Sequence, residues 1–387
     1  MSRITTPLLD LKQQNAPLAS KLMEAFRRVL DSGQFILGRE VEELERKLAA
    51  LVDVKHAIGV SSGTDAILLA LMALGIGPGD EVICPSFTFF ATAGCVARVG
   101  ATPVFADSSP VCFNLDVEDA ERRITPRAKA IIPVHLFGQS ADMDAVMALA
   151  SKYNLRVIED AAQSFSATYR GRSVGSIGDF GAFSFYPSKN LGGFGEGGLL
   201  VTNDDALAAR ARLLRSHGAD KKYFHKVVGG NFRLDPLLAA LLAVKTPHLH
   251  EYTQGRTANA VYYTASLSEI PGVALAQSSQ TRILLPSALP HNAHIWNQYT
   301  LRVLQGAARR DALQKFLAAR EIGSEIYYPL PLHLQECFAP ASGATPQPLP
   351  VCEQLAAECL SIPIYPELSR EQRDSVVAAI ADFLSIV

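Results

Sequence analysis

A single lysine, Lys189, stands inside a stretch that is otherwise almost free of charge. Gly178-Asp-Phe-Gly-Ala-Phe-Ser-Phe-Tyr-Pro-Ser-Lys-Asn-Leu-Gly-Gly-Phe-Gly-Glu-Gly-Gly198 reads as a short apolar strand (Ala182–Phe185), a turn at Pro187, the lysine, and a run of glycines. Glycines let backbone come close, and a lysine between two apolar strands is out of place as a solvated surface charge. That setting suits an amine that captures an aldehyde, and pyridoxal phosphate is the cofactor that offers one. Such a cofactor needs more: a carboxylate to keep its pyridine nitrogen protonated, a phosphate cradle and an aromatic ring against its face. The chain has a candidate for each, namely Asp160, Gly63-Thr64 with Ser184, and Phe89. Taken singly each also has a plain reading: a helix cap, strand residues, a core aromatic, a turn lysine.

The elements around these residues are legible. Leu18, Leu22, Phe26, Val29 and Leu30 fall on one helical face, and Val41, Leu44, Leu48 and Leu51 on another, opened by Glu40, Glu42 and Glu43. Strand Ala57–Val60 runs into Ser61-Ser-Gly-Thr-Asp65 and an apolar helix, Ala66–Leu74. A strand, glycine turn and helix expose backbone N–H groups to a phosphate, although Ser, Thr and Asp there also suit an ordinary N-cap. Further strands are expected at 81–84, 104–105, 130–134 and 155–158, the last ending in Glu159-Asp160, with helix 143–152 between the last two. Strands alternating with helices predict βαβ units and a mainly parallel sheet, whose ligands sit beyond the strands' carboxyl ends. Gly193-Phe-Gly-Glu-Gly-Gly198 matches G-x-G-x-x-G in letters, but it precedes strand 199–202 and opens no helix, so a dinucleotide site is rejected. A long helix from Pro236 is read as the link to a smaller domain. That domain holds strand 298–303, helix 310–320, a Pro-rich loop at 339–350 and a terminal helix at 370–384. The division expected is 1–250 for the N-terminal helices and large domain, and 251–387 for the small C-terminal α+β domain.

Composition narrows the class. The chain's 387 residues are 48% apolar and 19% charged with a net charge of −2, an ordinary globular balance without the basic excess of a nucleic-acid binder. No apolar run approaches the roughly 20 residues that span a bilayer. The start lacks the apolar core of a signal peptide. Six cysteines without a CxxC pair, set among apolar residues, read as buried thiols of a cytoplasmic protein. The histidine pairs 248/250 and 291/294 lack Cys or acidic partners at zinc spacing, so no metal is expected.

Taken together, the motifs resemble those of the DegT/DnrJ/EryC1/StrS sugar aminotransferases, within the fold type I pyridoxal phosphate enzymes. The residues that carry the resemblance are Ser61-Ser-Gly-Thr-Asp-Ala66, Gly77-Pro-Gly-Asp-Glu-Val82, Gly100-Ala-Thr-Pro-Val104, Pro133-Val-His-Leu136 with Gly138-Gln139, Glu159-Asp-Ala-Ala-Gln163, Ser184–Asn190 and Gly229–Asp235. The resemblance implies an α/β fold with a mainly parallel seven-stranded sheet between helices, plus the small domain. It implies a Schiff base on Lys189, Asp160 at the pyridinium nitrogen, Gln163 on the phenolic oxygen, Phe89 stacked on the ring, and Gly63, Thr64 and Ser184 on the phosphate. Asn231 is implied to reach the phosphate of the other subunit, which makes a homodimer the catalytic unit. Lys189 would then move the proton that converts the cofactor to its pyridoxamine form, and the reverse half-reaction would aminate a keto sugar. The resemblance also favours transamination over deoxygenation, because sugar 3-dehydrases carry histidine at the lysine position.

Lys222-Tyr-Phe-His225 and Tyr327–Leu334 look like members that aminate the C3 ketone of a nucleotide-linked hexose, with an amino acid (glutamate by resemblance) as donor. Tyr223, His225, Arg233 and His333 are the sugar or diphosphate candidates; a structural hydrogen bond is the competing reading for the two histidines. Phe232 stands where C3-acting relatives usually have serine. The alternatives are a 4-ketosugar or cyclitol aminotransferase, and a non-enzymatic regulator. The chain has no helix-turn-helix signature and no basic stripe to favour the regulator.

Overall fold

The computed structural model describes residues 5–339 and 347–386. Its centre is a seven-stranded sheet built from β1 (His56–Val60), β2 (Glu81–Pro85), β3 (Thr102–Ala106), β4 (Ala128–Ile131), β5 (Arg156–Asp160), β6 (Phe180–Ser184) and β7 (Gly198–Thr202). The spatial order is β1-β7-β6-β5-β4-β2-β3, and every pairing is parallel except the two made by β7. Apart from the edge strand β3, strand residues are buried almost throughout, as a sheet covered on both faces by helices requires. Burying a phenylalanine such as Phe180 or Phe183 contributes about 1.5–3 kcal/mol, and one core lies on each side of the sheet.

Helices α1 (Ala19–Ser32) and α2 (Arg39–Val52) precede the sheet, and α3 (Gly63–Leu74) and α4 (Ala91–Arg98) leave the ends of β1 and β2. Helix α1 buries Leu22, Ala25 and Val29 but leaves Phe26 and Leu30 exposed, so its apolar stripe is wider than the face its own chain covers. Beneath the turn after β1, the buried Glu45 accepts from Gly59 N (2.7 Å) and from Arg215 Nη1 (2.6 Å), while Arg215 Nη1 also donates to Gly59 O (3.1 Å). The last residues of β1 are thereby clamped just before Ser61.

The helix expected to run on from Pro236 is two helices, Pro236–Lys245 and Leu249–Ser268, because Pro247 sits in the tight turn between them. Ala260, Tyr263 and Leu267 of the second enter a separate core with strands Tyr299–Val303 and Cys359–Ile362 and helices Ala307–Ala318 and Arg370–Ile386. The start of the chain lies with this second core. Thr6 N donates to Glu321 O (2.9 Å), Gly323 N donates to Thr6 O (2.8 Å), and Leu9 packs against the cluster. Of the Pro-rich loop expected at 339–350, residues 340–346 lie outside the described residues, and helix Pro350–Glu358 follows. All six cysteines are free; four are buried, Cys112 is half-buried and Cys337 is exposed, so burial does not hold for every thiol.

Candidate active site

Sheet register builds the site. Gly198, which opens β7, pairs with Ser184 at the end of β6 on one side and with Val60 at the end of β1 on the other. A side chain at 198 would meet Ser62 O at 2.5 Å and Gly63 N at 2.7 Å, so only glycine lets the turn after β1 fold over β7. Gly63 then comes against Ser184, where an added Cβ would lie 2.8 Å from the serine Cβ. Ser62 caps α3 by accepting from Asp65 N (3.0 Å), and Ser61 and Ser62 both donate to Asp65 Oδ2 (2.7 and 3.0 Å). The ordinary N-cap is therefore present, and it leaves room for an anion at the same turn. Ser61 and Ser62 serve the cap, and Ser62, Gly63 and Thr64 line a cavity of about 590 Å³ at the strand ends. Helical N–H groups in a first turn have no intrahelical acceptor, which leaves them to an anion.

Lys189, Asp160, Gln163, Ser184 and Phe89 line the same cavity. Lys189 sits on the arch between β6 and β7. Phe185 N donates to Gly197 O (2.8 Å) and Gly193 N to Phe185 O (2.7 Å), closing the arch, and Lys189 N donates to Tyr186 O (2.9 Å). Gly192 lies so close to Pro187 that an added Cβ would be 2.1 Å from its carbonyl oxygen. Burial pulls the Lys189 amine down to about 8, an effect partly opposed by the Asp160 charge.

Asp160 ends β5 and is 5% exposed. Its backbone is fixed through His135 N to Asp160 O (2.9 Å) and Asp160 N to Pro133 O (2.9 Å). The neighbouring Glu159 accepts from His135 Nε2 (3.0 Å) and from Gly175, Ile177 and Gly178 N (2.7–2.8 Å). Burial pushes the Asp160 carboxyl above its ordinary range, and the Thr92 hydroxyl, Ala162 N–H and Lys189 charge act against that rise. Gln163 accepts from Phe137 N (2.8 Å), which orients its amide, and donates to Tyr328 OH (3.1 Å) with one N–H left over.

Five of the residues expected at the site do not line this cavity within the chain. Tyr223 and His225 lie on an exposed hairpin (Ala219–Lys221 with Phe224–His225), where His225 Nδ1 meets His217 O at 2.9 Å. Asn231 is exposed and pairs with Ser216. Arg233 pairs with Val60 beside the Gly63 turn, and its Nε is buried without a partner. His333 is buried away from the cavity. Its Nδ1 meets Ser86 Oγ (2.7 Å), its N donates to the same oxygen (3.0 Å), and its Nε2 meets Glu353 (3.4 Å). The structural reading of His333 is the one its surroundings support. Tyr186, Tyr327, Tyr328 and Gln298 instead complete the cavity wall, with the Tyr328 ring 6.4 Å from Phe89 and its phenol driven up by burial. Tyr327 and Tyr328 open the same Tyr327–Leu334 run that holds His333, so their place in that run is the signal that marks them, although histidine's titration range points to its other end. His294 stacks on Trp296 at 3.9 Å and is pushed down to about 3 by burial. Among the described residues no group of three His, Cys, Asp or Glu side chains is placed to hold a metal.

A mainly parallel seven-stranded sheet, with a lysine and a carboxylate facing one cavity beyond its strand ends and a helix N-terminus beside them, defines a pyridoxal-phosphate-type transferase of the α/β class. The chain belongs to the DegT/DnrJ/EryC1/StrS aminotransferase family, whose profile matches residues 17–381. It is 47% identical to a "pleiotropic regulatory protein" of Geobacillus stearothermophilus, across 98% of this chain and 99% of that one. It is 45% identical to a UDP-N-acetyl-3-dehydro-α-D-glucosamine 3-aminotransferase of Acidithiobacillus ferrooxidans, across 95% and 94%. Its fold superposes on S. venezuelae DesV, solved in complex with a ketimine intermediate, with a TM-score of 0.92 at 43% identity and 99% coverage of both chains.

Proposed function

We propose that this chain uses pyridoxal phosphate to move an amino group from an amino acid, glutamate on the family resemblance, to the C3 ketone of a nucleotide-linked sugar. The observation that carries the reading is the convergence of Lys189, Asp160 and the Gly63–Ser184 cradle on one cavity. Bound pyridoxal phosphate supplies an aldehyde that captures amines and a ring that draws electrons from the neighbouring carbon. Gly63, Thr64 and Ser184 would hold its phosphate, with the unpartnered Nε of Arg233 beside the same turn. Phe89 would cover one ring face, Asp160 would keep the ring nitrogen protonated, and the free Gln163 N–H would meet the phenolic oxygen.

Lys189 does the proton work. With its amine near 8, a fraction is neutral at ordinary pH, so Nζ would take a proton from the donor's α-carbon and return one to the carbon on the far side of the intervening nitrogen. Tyr186, Tyr327 and Tyr328 give the rest of the cavity an apolar wall with hydroxyl groups, suited to a sugar ring.

Each site is completed by a second copy of the chain. The exposed Tyr223, Phe224 and Val228 beside Asn231, and the uncovered Met23, Phe26, Leu30, Phe35 and Ile36, support a homodimer in which the hairpin serves the partner's cavity. Six free thiols support a reducing, cytoplasmic setting. Among the described residues no helix is long and apolar enough to cross a membrane.

Relatives named as 3-aminotransferases support the C3 choice. The test is to offer the pyridoxamine-loaded protein 3-keto and 4-keto nucleotide sugars side by side. Reoxidation by the 3-keto sugar is expected, and reoxidation by the 4-keto sugar alone overturns the regiochemistry. A purified protein that develops no visible band with pyridoxal phosphate overturns the reading altogether.

A further inference from the structure

The carboxylate of Asp160 is held by a hydroxyl chain that the mechanism above does not use. Thr92 Oγ1 donates to Asp160 Oδ2 at 2.8 Å, and the hydroxyls of Thr88 and Thr92 lie 3.1 Å apart. With its one proton committed to the carboxylate, Thr92 must accept from Thr88, so the chain runs in one direction. All three groups are buried, with Thr92 0%, Thr88 2% and Asp160 5% exposed. Ala162 N donates to Oδ1 at 3.2 Å, which fixes the carboxylate's other edge. Thr88 itself lines the cavity, and Phe89 lies between it and the start of α4, where Thr92 is the second residue. A helical threonine commonly turns its hydroxyl back on its own helix, but Thr92 points across to another strand.

We propose that Thr92, itself oriented by Thr88, is a positioning residue that keeps Asp160 ionised and aimed at the cofactor's ring nitrogen. This rests on the pyridoxal phosphate reading. A buried carboxylate is held in its charged form by the hydrogen bonds it accepts, and removing one leaves the charge under-solvated. A neutral carboxylic acid at that position cannot keep the ring nitrogen protonated. Placing Thr88, Phe89 and Thr92 on one turn also couples the group that would cover the ring face to the group that governs its nitrogen. Valine matches threonine in shape, so Thr92→Val removes the donor with little change in packing.

The experiment compares wild type, Thr92→Val, Thr92→Ser and Thr88→Val in binding pyridoxal phosphate and a carbocyclic analogue whose ring nitrogen is replaced by C–H. In Thr92→Val, affinity for pyridoxal phosphate and kcat are each expected to fall about tenfold, with the sugar KM unchanged within about twofold. Thr92→Ser should recover most of both losses, and Thr88→Val should lose about threefold. For the carbocyclic analogue all four proteins should bind within about twofold of one another. Equal weakening toward both ligands, or no weakening toward either, overturns the proposal. If Thr92→Val does not fold, Thr88→Val carries the same comparison, supporting or overturning the proposal on the same grounds. Failure of the wild type to give a visible band with pyridoxal phosphate would count against the underlying reading instead, so the two failures are distinct.

Discussion

The two halves of the site are built differently. The floor is made of strand ends and a helix start: Asp160, Ser184 and Gly63 are locked by sheet register, by the Glu45–Arg215 clamp and by the His135–Glu159 bonds. The rim proposed to come from a partner is a two-stranded hairpin that does not line its own chain's cavity: Tyr223 is 81% exposed and its neighbour Asn231 meets nothing there. On the proposed function, one chain would carry a preformed cofactor seat and a substrate wall that a second copy completes. What the contrast teaches is that rigidity sits where the proposed cofactor would need electronic control, and the surface left open is the part the proposed dimer would cover.

Breaking the floor should cost most. Lys189→Ala is expected to remove the visible cofactor band and to lower turnover by more than about a thousandfold, read by absorbance and by product formation. The division between floor and rim is sharpened by complementation. Lys189→Ala and Asn231→Ala proteins, each weak alone, should regain roughly a quarter of wild-type activity when mixed and allowed to exchange subunits, because half the dimers then own one intact composite site. Gly63→Ala should weaken pyridoxal phosphate binding by about 1–3 kcal/mol, measured by titration, since the new Cβ meets Ser184 at 2.8 Å. The pH dependence has a definite sign. Only the neutral Lys189 amine attacks an aldehyde, so the rate of cofactor capture should rise with pH up to about 8 and then level, where a lysine at the ordinary value of 10.5 would go on accelerating. The smallest functional effect is expected for His333→Ala. It should lower stability by about 1–3 kcal/mol through the lost Ser86 bond and leave the sugar KM unchanged, checked by denaturant titration and kinetics.

The floor is far more legible in the sequence than the rim. Lys189, Asp160, Ser184 and the Gly63 turn each sit beside a strand whose apolar run marks its own end, and in a parallel sheet those ends share an edge. The remaining candidates depend on contacts that no local pattern encodes. Ser86 decides the role of His333 from far away in the chain, and Tyr328 enters the cavity from the C-terminal region through a bond to Gln163. Helix α1 shows the same limit from another side, because its heptad-like spacing of Phe26 and Leu30 promises burial without saying which chain provides it. The attachment of Thr6 to the second core is likewise a consequence of packing between distant segments, whereas the break between the two helices follows from Pro247, a local signal already present in the chain.

The antiparallel course of β7 has a mechanical consequence. Since β6 ends and β7 begins on the same edge, the segment bearing Lys189 leaves and re-enters the sheet side by side, pinned at its feet by the Phe185–Gly197 bond. The lysine is thus carried on a footbridge rather than at the tip of a lever. Its amine can swing through its own side-chain torsions while both abutments stay still. A peptide bond cut in the middle of the span would leave both severed ends tied to adjacent strands.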